Sequence, residues 1–211
     1  GAQADTDKVR GLPELPETSD ELRLIAKYLN STEDDLYLRE RATETELKSA
    51  DLSNSRVLAF ATHGLVGGEL SGLAEPALVL TPPAKGSDLD DGLLKASEVA
   101  QLNLNADMVL LSACNTASGE KLGAEGLSGL ARAFIYAGAR SLLVSHWSVD
   151  SDAAAQLTTG LFKALEADPE MGRAEALQKS MMSLASNDEN PHYSHPAFWA
   201  PFSLIGEGAA P

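Results

Sequence analysis

Three short and nearly uninterrupted apolar runs constrain the fold more than anything else in this chain. They are Val57-Leu58-Ala59-Phe60-Ala61, Met108-Val109-Leu110-Leu111 and Ser141-Leu142-Leu143-Val144-Ser145. A strand with one wet face alternates apolar and polar residues; a run without alternation is covered on both faces, as strands of a parallel sheet are. Helical periods separate the runs. Ser19 is placed to cap a helix carrying Leu22, Ile25, Ala26 and Leu29, and Thr43 with Glu46 has capping-box spacing ahead of Leu47. Further helices are expected over 96–102 with a cap at Ser97, over 123–136 with Gly138 as a left-handed stop, and over 152–167 and 174–185. Leu36-Tyr37-Leu38 reads as a weak strand and 202–205 as a last one. Strand and helix alternating in this way predict an α/β fold of three layers, a mainly parallel central sheet flanked by helices. Between Gly64 and Lys95 the composition turns to Gly, Pro, Ser and Asp, which predicts a hairpin-like excursion; its acidic cluster, Asp88, Asp90 and Asp91, reads as a solvated loop.

Composition narrows the function. The chain has 211 residues, enough to bury a core without staples, and 16 Lys and Arg against 31 Asp and Glu give a net charge of −15. That balance opposes a phosphate-binding surface, so no direct nucleic-acid partner is expected. No apolar run reaches the roughly 20 residues a membrane span needs, and no basic-then-apolar leader opens the chain; a cytoplasmic domain is expected. Gly1 stands where Met begins a complete chain, which points to a trimmed end. Residues 1–11 and 207–211 read as flexible tails around one domain, 12–206.

In an open parallel sheet, ligands sit beyond the carboxyl ends of the strands. The loops there carry Thr62-His63-Gly64, Ser112-Ala113-Cys114-Asn115-Thr116 and His146-Trp147-Ser148-Val149-Asp150. The single cysteine and a histidine thus occupy equivalent places on two strands. A thiol is the strongest nucleophile available near neutral pH, and an imidazole can manage its proton. The backbone N–H of Gly64 can approach an oxyanion because no side chain projects from its Cα. Other groupings are weaker. His192 and His195 lack partners at metal-ligand spacing, Gly123, Gly126 and Gly129 do not make a phosphate loop, and Ser128 is not in a nucleophile elbow.

His63 also lies about 50 residues upstream of Cys114, the separation of the catalytic pair in caspases. Together with further blocks this gives a resemblance to a family. The blocks are Ala61-Thr62-His63-Gly64, Asp91-Gly92-Leu93-Leu94 with Ser97-Glu98, Leu111-Ser112-Ala113-Cys114-Asn115-Thr116, Gly126-Leu127, Ala137-Gly138-Ala139, Trp147-Ser148-Val149-Asp150 and His195-Pro196-Ala197-Phe198-Trp199-Ala200. The chain resembles the CHAT domain, a caspase-like cysteine peptidase module usually found behind tetratricopeptide repeats in bacterial proteins. The resemblance implies a His63/Cys114 dyad, oxyanion donors at the backbone amides of Gly64 and Cys114, no metal or organic cofactor, a protein or peptide substrate bound in extended form, and control by an attached or partner repeat domain. The 64–95 excursion and the 116–121 loop are then the elements expected to need ordering before catalysis. Trp147, Asp150 and Asp152 fall near where such families shape the substrate pocket; for Asp150, capping the next helix is an equal expectation. The alternatives are a CHAT-like scaffold that binds a partner without turnover and a flavodoxin-like ligand-binding domain. The resemblance further implies a central strand upstream of Leu12, for which residues 2–10 are too polar; either the sequence begins late, or another segment fills that place, which would expose a sheet edge with unpaired backbone groups.

Overall fold

A computed structural model describes residues 4–112, 124–147 and 149–209. Its central sheet has the order β1-β5-β6-β7, with β1 Val57–Phe60, β5 Met108–Leu111, β6 Ser141–Ser145 and β7 Phe202–Gly206. The three apolar runs are the three parallel strands; β7 closes the sheet antiparallel to β6. The alternation missing from the sequence reappears as two cores. Leu58, Phe60, Val109, Leu111, Leu142 and Val144 face α4 (Ala96–Val99) and α5 (Ala124–Ala137), while Met108, Leu110 and Leu143 face α2 (Thr18–Tyr28), α6 (Ser151–Ala167) and α7 (Arg173–Ala185). The fold is α/β in three layers, as expected.

The register aligns the strand ends. Phe60 stands opposite Leu111, and Leu111 opposite Val144, so the loops leave β1, β5 and β6 from one line. The stop after α5 is Gly138, at φ +115°, where a Cβ would lie 2.1 Å from the Leu104 carbonyl oxygen. Only glycine fits there.

The excursion is more than a hairpin. β2 (Gly64–Leu65), β3 (Ala77–Val79) and β4 (Leu93–Lys95) form a small antiparallel sheet over its own core of Leu65, Leu73, Ala77, Val79 and Leu93. The chain's start docks on it: α1 (Thr6–Arg10) buries Val9 in that core, where sequence alone suggested a frayed end. Of the acidic cluster only Asp88 is exposed, as a solvated loop requires. Asp90 and Asp91 are buried; Asp90 accepts from the Thr45 N–H and hydroxyl, and Asp91 from Lys95 Nζ and the Ala4 and Leu93 N–H groups. These partners lie up to 87 residues away. At the centre of the contact is Glu44, the first residue of α3 (Glu44–Ser49). Its Oε2 takes the N–H groups of Asp91, Gly92 and Leu93 at 2.7–3.1 Å, and its Oε1 takes Lys48 Nζ at 2.7 Å. Lys48 Nζ also reaches Glu98 Oε1 and the Leu89 carbonyl, and Glu44 and Glu98 hold its ammonium above the usual lysine range against the opposing effect of burial.

Three local expectations fail for identifiable reasons. Leu36-Tyr37-Leu38 is extended between two short 3₁₀ turns but pairs with no strand, so it is not one. The helix of Leu22 and Ile25 starts at Thr18 after Glu17, because the Ser19 hydroxyl donates back to the Pro16 carbonyl. Lys95, not Ser97, caps α4: the Glu98 carboxylate accepts the Lys95 N–H, while Ser97 turns to Glu75.

The outer edge of β1 stands open. Its Arg56 and Phe60 carbonyls accept from N–H groups on the β5 side, which leaves Val57 and Ala59 to point their backbone groups away. No described strand pairs with them, and a cavity of about 810 Å³, lined in part by Leu29, Leu36, Leu52 and Leu165, runs beside that edge.

Candidate functional site

His63 sits at the corner between β1 and β2, three residues past Phe60. The corner is stitched to β3: the His63 carbonyl accepts the Val79 N–H, and the Thr62 hydroxyl donates to the Val79 carbonyl. The imidazole is buried, and its Nε2 lies 2.7 Å from the carbonyl oxygen of Pro13. A carbonyl only accepts, so Nε2 carries a proton, and of the two neutral tautomers the contact selects the one whose lone pair is on Nδ1. The segment between α1 and α2 therefore fixes the tautomer of this histidine, a role no side chain at Pro13 announces in the sequence.

Cys114, with its backbone amide and the 116–121 loop, lies outside the described residues. Ser112 is the last described residue before it. Its N–H donates to the Phe60 carbonyl at 2.9 Å, which extends the β1–β5 ladder by one bond. In chain count Cys114 stands three residues past Leu111, as His63 stands three past Phe60 and Trp147 three past Val144. Gly64 is buried at the start of β2 and pairs with Leu78.

The third loop is described on either side of residue 148. Trp147 is half exposed and donates Nε1 to the Ala197 carbonyl at 3.3 Å. Asp150 caps α6, accepting the Ala153 N–H at 3.0 Å, and Asp152 is exposed in the first turn of that helix. Tyr193 points its hydroxyl to Asp150 at 3.5 Å; burial first, then the carboxylates of Asp150 and Asp152, push its pKa up. The two acids thus share one surface with Tyr193, and the expected cap is present.

Sequence reasoning passed over Glu21. It is 4% exposed on α2, with Oε1 2.7 Å from the Thr158 hydroxyl of α6. A charged residue four before the buried Ile25 falls on the buried helix face, and that was the available signal. Burial pushes the Glu21 carboxyl above the usual value of 4.5, against the pull of the Thr158 and Ser112 hydroxyls. The folded state therefore binds this proton more tightly than the unfolded state. Stability is unaffected below 4.5, where both states are protonated, and falls as pH rises from there through the folded value. Glu21→Gln is expected to flatten that part of the pH profile, measured as urea midpoints between pH 4 and 7; an unchanged slope would assign it to another group.

An α/β domain with these strand-end loops is a CHAT domain: the family's model matches residues 2–207, and the chain belongs to that family. It is similar to tetratricopeptide repeat protein 28 of Mus musculus and of Homo sapiens, with 30% identity over 203 residues in each case. The match covers 78% of this chain and 8% of each relative, so the chain spans under a tenth of those proteins' length. No helix among the described residues is long and apolar enough to cross a membrane.

Proposed function

We propose that this domain is a cysteine endopeptidase acting through His63 and Cys114. The observation that carries the reading is the common strand-end line: two residues of the right chemistry stand at the same offset past paired positions of neighbouring parallel strands, and one of them has its tautomer set by a backbone carbonyl. The Cys114 sulfur attacks the scissile carbonyl carbon, forming a C–S bond while charge gathers on oxygen. The backbone amides of Gly64 and Cys114 hold that oxyanion. His63, carrying the thiol's proton, gives it to the leaving amine as the C–N bond breaks. Water then adds to the thioester, His63 takes its proton, and the C–S bond breaks to release acid and thiol. No cofactor enters any step.

The substrate is a peptide in extended form, held along a sheet edge by main-chain hydrogen bonds. Trp147 shapes the pocket for the residue before the cut. The paired negative charge of Asp150 and Asp152 favours Arg or Lys there, with Asp150 serving as helix cap at the same time. The two relatives are tetratricopeptide repeat proteins by name, which supports control by such a repeat domain, attached or in trans. The setting proposed for it is the cytoplasm.

A single cysteine makes the test clean. A peptidyl acyloxymethyl ketone is expected to add once per chain, at Cys114, and to do so at least a hundredfold more slowly in His63→Gln. Equal labelling of parent and variant, read by intact mass, would leave the partner-binding scaffold as the better account.

A further inference from the structure

Two hydrogen bonds hold His63, one on its main chain and one on its ring. The Val79 N–H donates to its carbonyl at 2.8 Å, and its Nε2 donates to the Pro13 carbonyl at 2.7 Å. Followed outward, both lead to one turn, Asp91-Gly92-Leu93. On the main-chain side, Val79 pairs with Leu93 across β3 and β4, and the next residue, Leu80, gives its N–H to the Gly92 carbonyl at 2.9 Å. On the ring side, Pro13 follows α1, and the chain before that helix is tied at Ala4, whose N–H donates to Asp91 Oδ2 at 2.8 Å. Val9 in the small core and Arg10 on the Pro83 carbonyl hold the rest of this strap to the same sheet and its loop.

The turn in its own right hangs on Glu44. That side chain is fully buried, and its Oε2 accepts all three N–H groups of the turn. The Asp91 N–H has no other acceptor among the described residues; those of Gly92 and Leu93 have second bonds to the Asp90 and Asp91 carboxylates, at 3.3 and 3.1 Å. The turn is also stiff. Gly92 takes φ +83°, and a Cβ there would lie 2.7 Å from the Pro82 Cβ. A displacement at such a turn is passed along its hydrogen bonds rather than absorbed within it.

We propose that Glu44 is a positioning residue for His63: by fixing the 91–93 turn it sets both the main-chain corner and the carbonyl that orients the imidazole. This rests on the peptidase reading and adds to it a side chain whose bonds go to the turn and to Lys48, not to the reacting atoms. The hold is a matter of acceptor and reach. An amide of the same length keeps an oxygen at the turn; a methyl group, or a carboxylate one carbon shorter, does not.

The test uses the full chain with its histidines isotopically labelled on nitrogen, in alkaline buffer where the rings are neutral. The imidazole nitrogen shifts report which ring nitrogen carries the proton, and His63→Gln assigns the His63 signals. The parent and Glu44→Gln are expected to show one tautomer, protonated at Nε2. In Glu44→Ala, at a temperature where circular dichroism shows it fully folded, the two tautomers are expected to mix. Its kcat for a cleaved peptide is expected to fall at least fivefold, with KM within twofold of the parent. A merely structural role would lower the melting temperature and leave the tautomer alone. Should Glu44→Ala fail to fold, Glu44→Asp carries the same expectation. A folded variant that keeps the single tautomer overturns the proposal, whatever its kcat. If the parent's labelling by the peptidyl ketone proves independent of His63, the peptidase reading has failed, and the tautomer alone then decides on Glu44.

Discussion

Replacing His63 with glutamine is expected to lower kcat/KM for a cleaved peptide by about 10³-fold while leaving the melting temperature nearly unchanged. The glutamine amide can still donate to the Pro13 carbonyl that His63 Nε2 now reaches at 2.7 Å, so the buried acceptor keeps a partner. What the amide lacks is a ring nitrogen that can take up a proton and pass it on. The alanine variant is a poorer probe, since the imidazole is buried and its loss strands that carbonyl. Cys114→Ala removes the nucleophile and is expected to reduce turnover to background. Steady-state kinetics on a peptide identified by library screening would check both. A His63→Gln protein retaining more than a tenth of the parental rate would remove His63 from the chemistry.

Glu44→Ala is expected to destabilise the fold by about 3–5 kcal/mol, more than any of the other substitutions. Three backbone N–H groups of one loop converge on Glu44 Oε2; alanine leaves that of Asp91 buried without an acceptor and leaves those of Gly92 and Leu93 only their bonds to the Asp90 and Asp91 carboxylates, at 3.3 and 3.1 Å. Lys48 keeps Glu98 and the Leu89 carbonyl, so its ammonium is not abandoned. The loss falls on the turn at 91–93, where Gly92 takes φ +83° and β4 begins. That turn seats the small sheet whose β3 stitches the His63 corner. At roughly 2–4 °C per kcal/mol for a domain of this size, the melting temperature should drop by about 6–20 °C. Glu44→Gln keeps an acceptor oxygen and should cost clearly less. Equal melting of alanine variant and parent would show that the loop finds other acceptors.

The sheet was legible because burial on both faces leaves a signature in consecutive residues, and three such runs became β1, β5 and β6 in parallel. Gly138 was legible for a related reason, as a left-handed stop at the end of a periodic segment. What stayed hidden depends on partners distant in sequence. Asp90 and Asp91 look like loop acids until Thr45 and Ala4 arrive from 45 and 87 residues away. Ser97 looks like a cap until Glu75 claims its hydroxyl. Pro13 contributes through a carbonyl, which every residue possesses, so its part in orienting His63 leaves no mark in residue type. The proposed dyad rests on residue chemistry, chain count and the family resemblance; the structure describes His63 and its Pro13 partner, while Cys114 lies outside the described residues.

The shared register of β1, β5 and β6 also limits how such a domain can diversify. Sliding one strand by a single residue would turn its core side chains to the opposite face, since neighbouring positions alternate between the two cores. The same slip would shift every residue counted from that strand's end. Spacing at the strand ends is therefore inherited from the packing and is hard to tune by small steps. Variation is cheapest in exposed connections away from those ends, such as 84–89 between β3 and β4, where insertions lengthen a surface segment at little entropic expense. New specificities in a lineage, or in the laboratory, should accumulate there, with the strands serving as a fixed ruler that drift cannot rewrite.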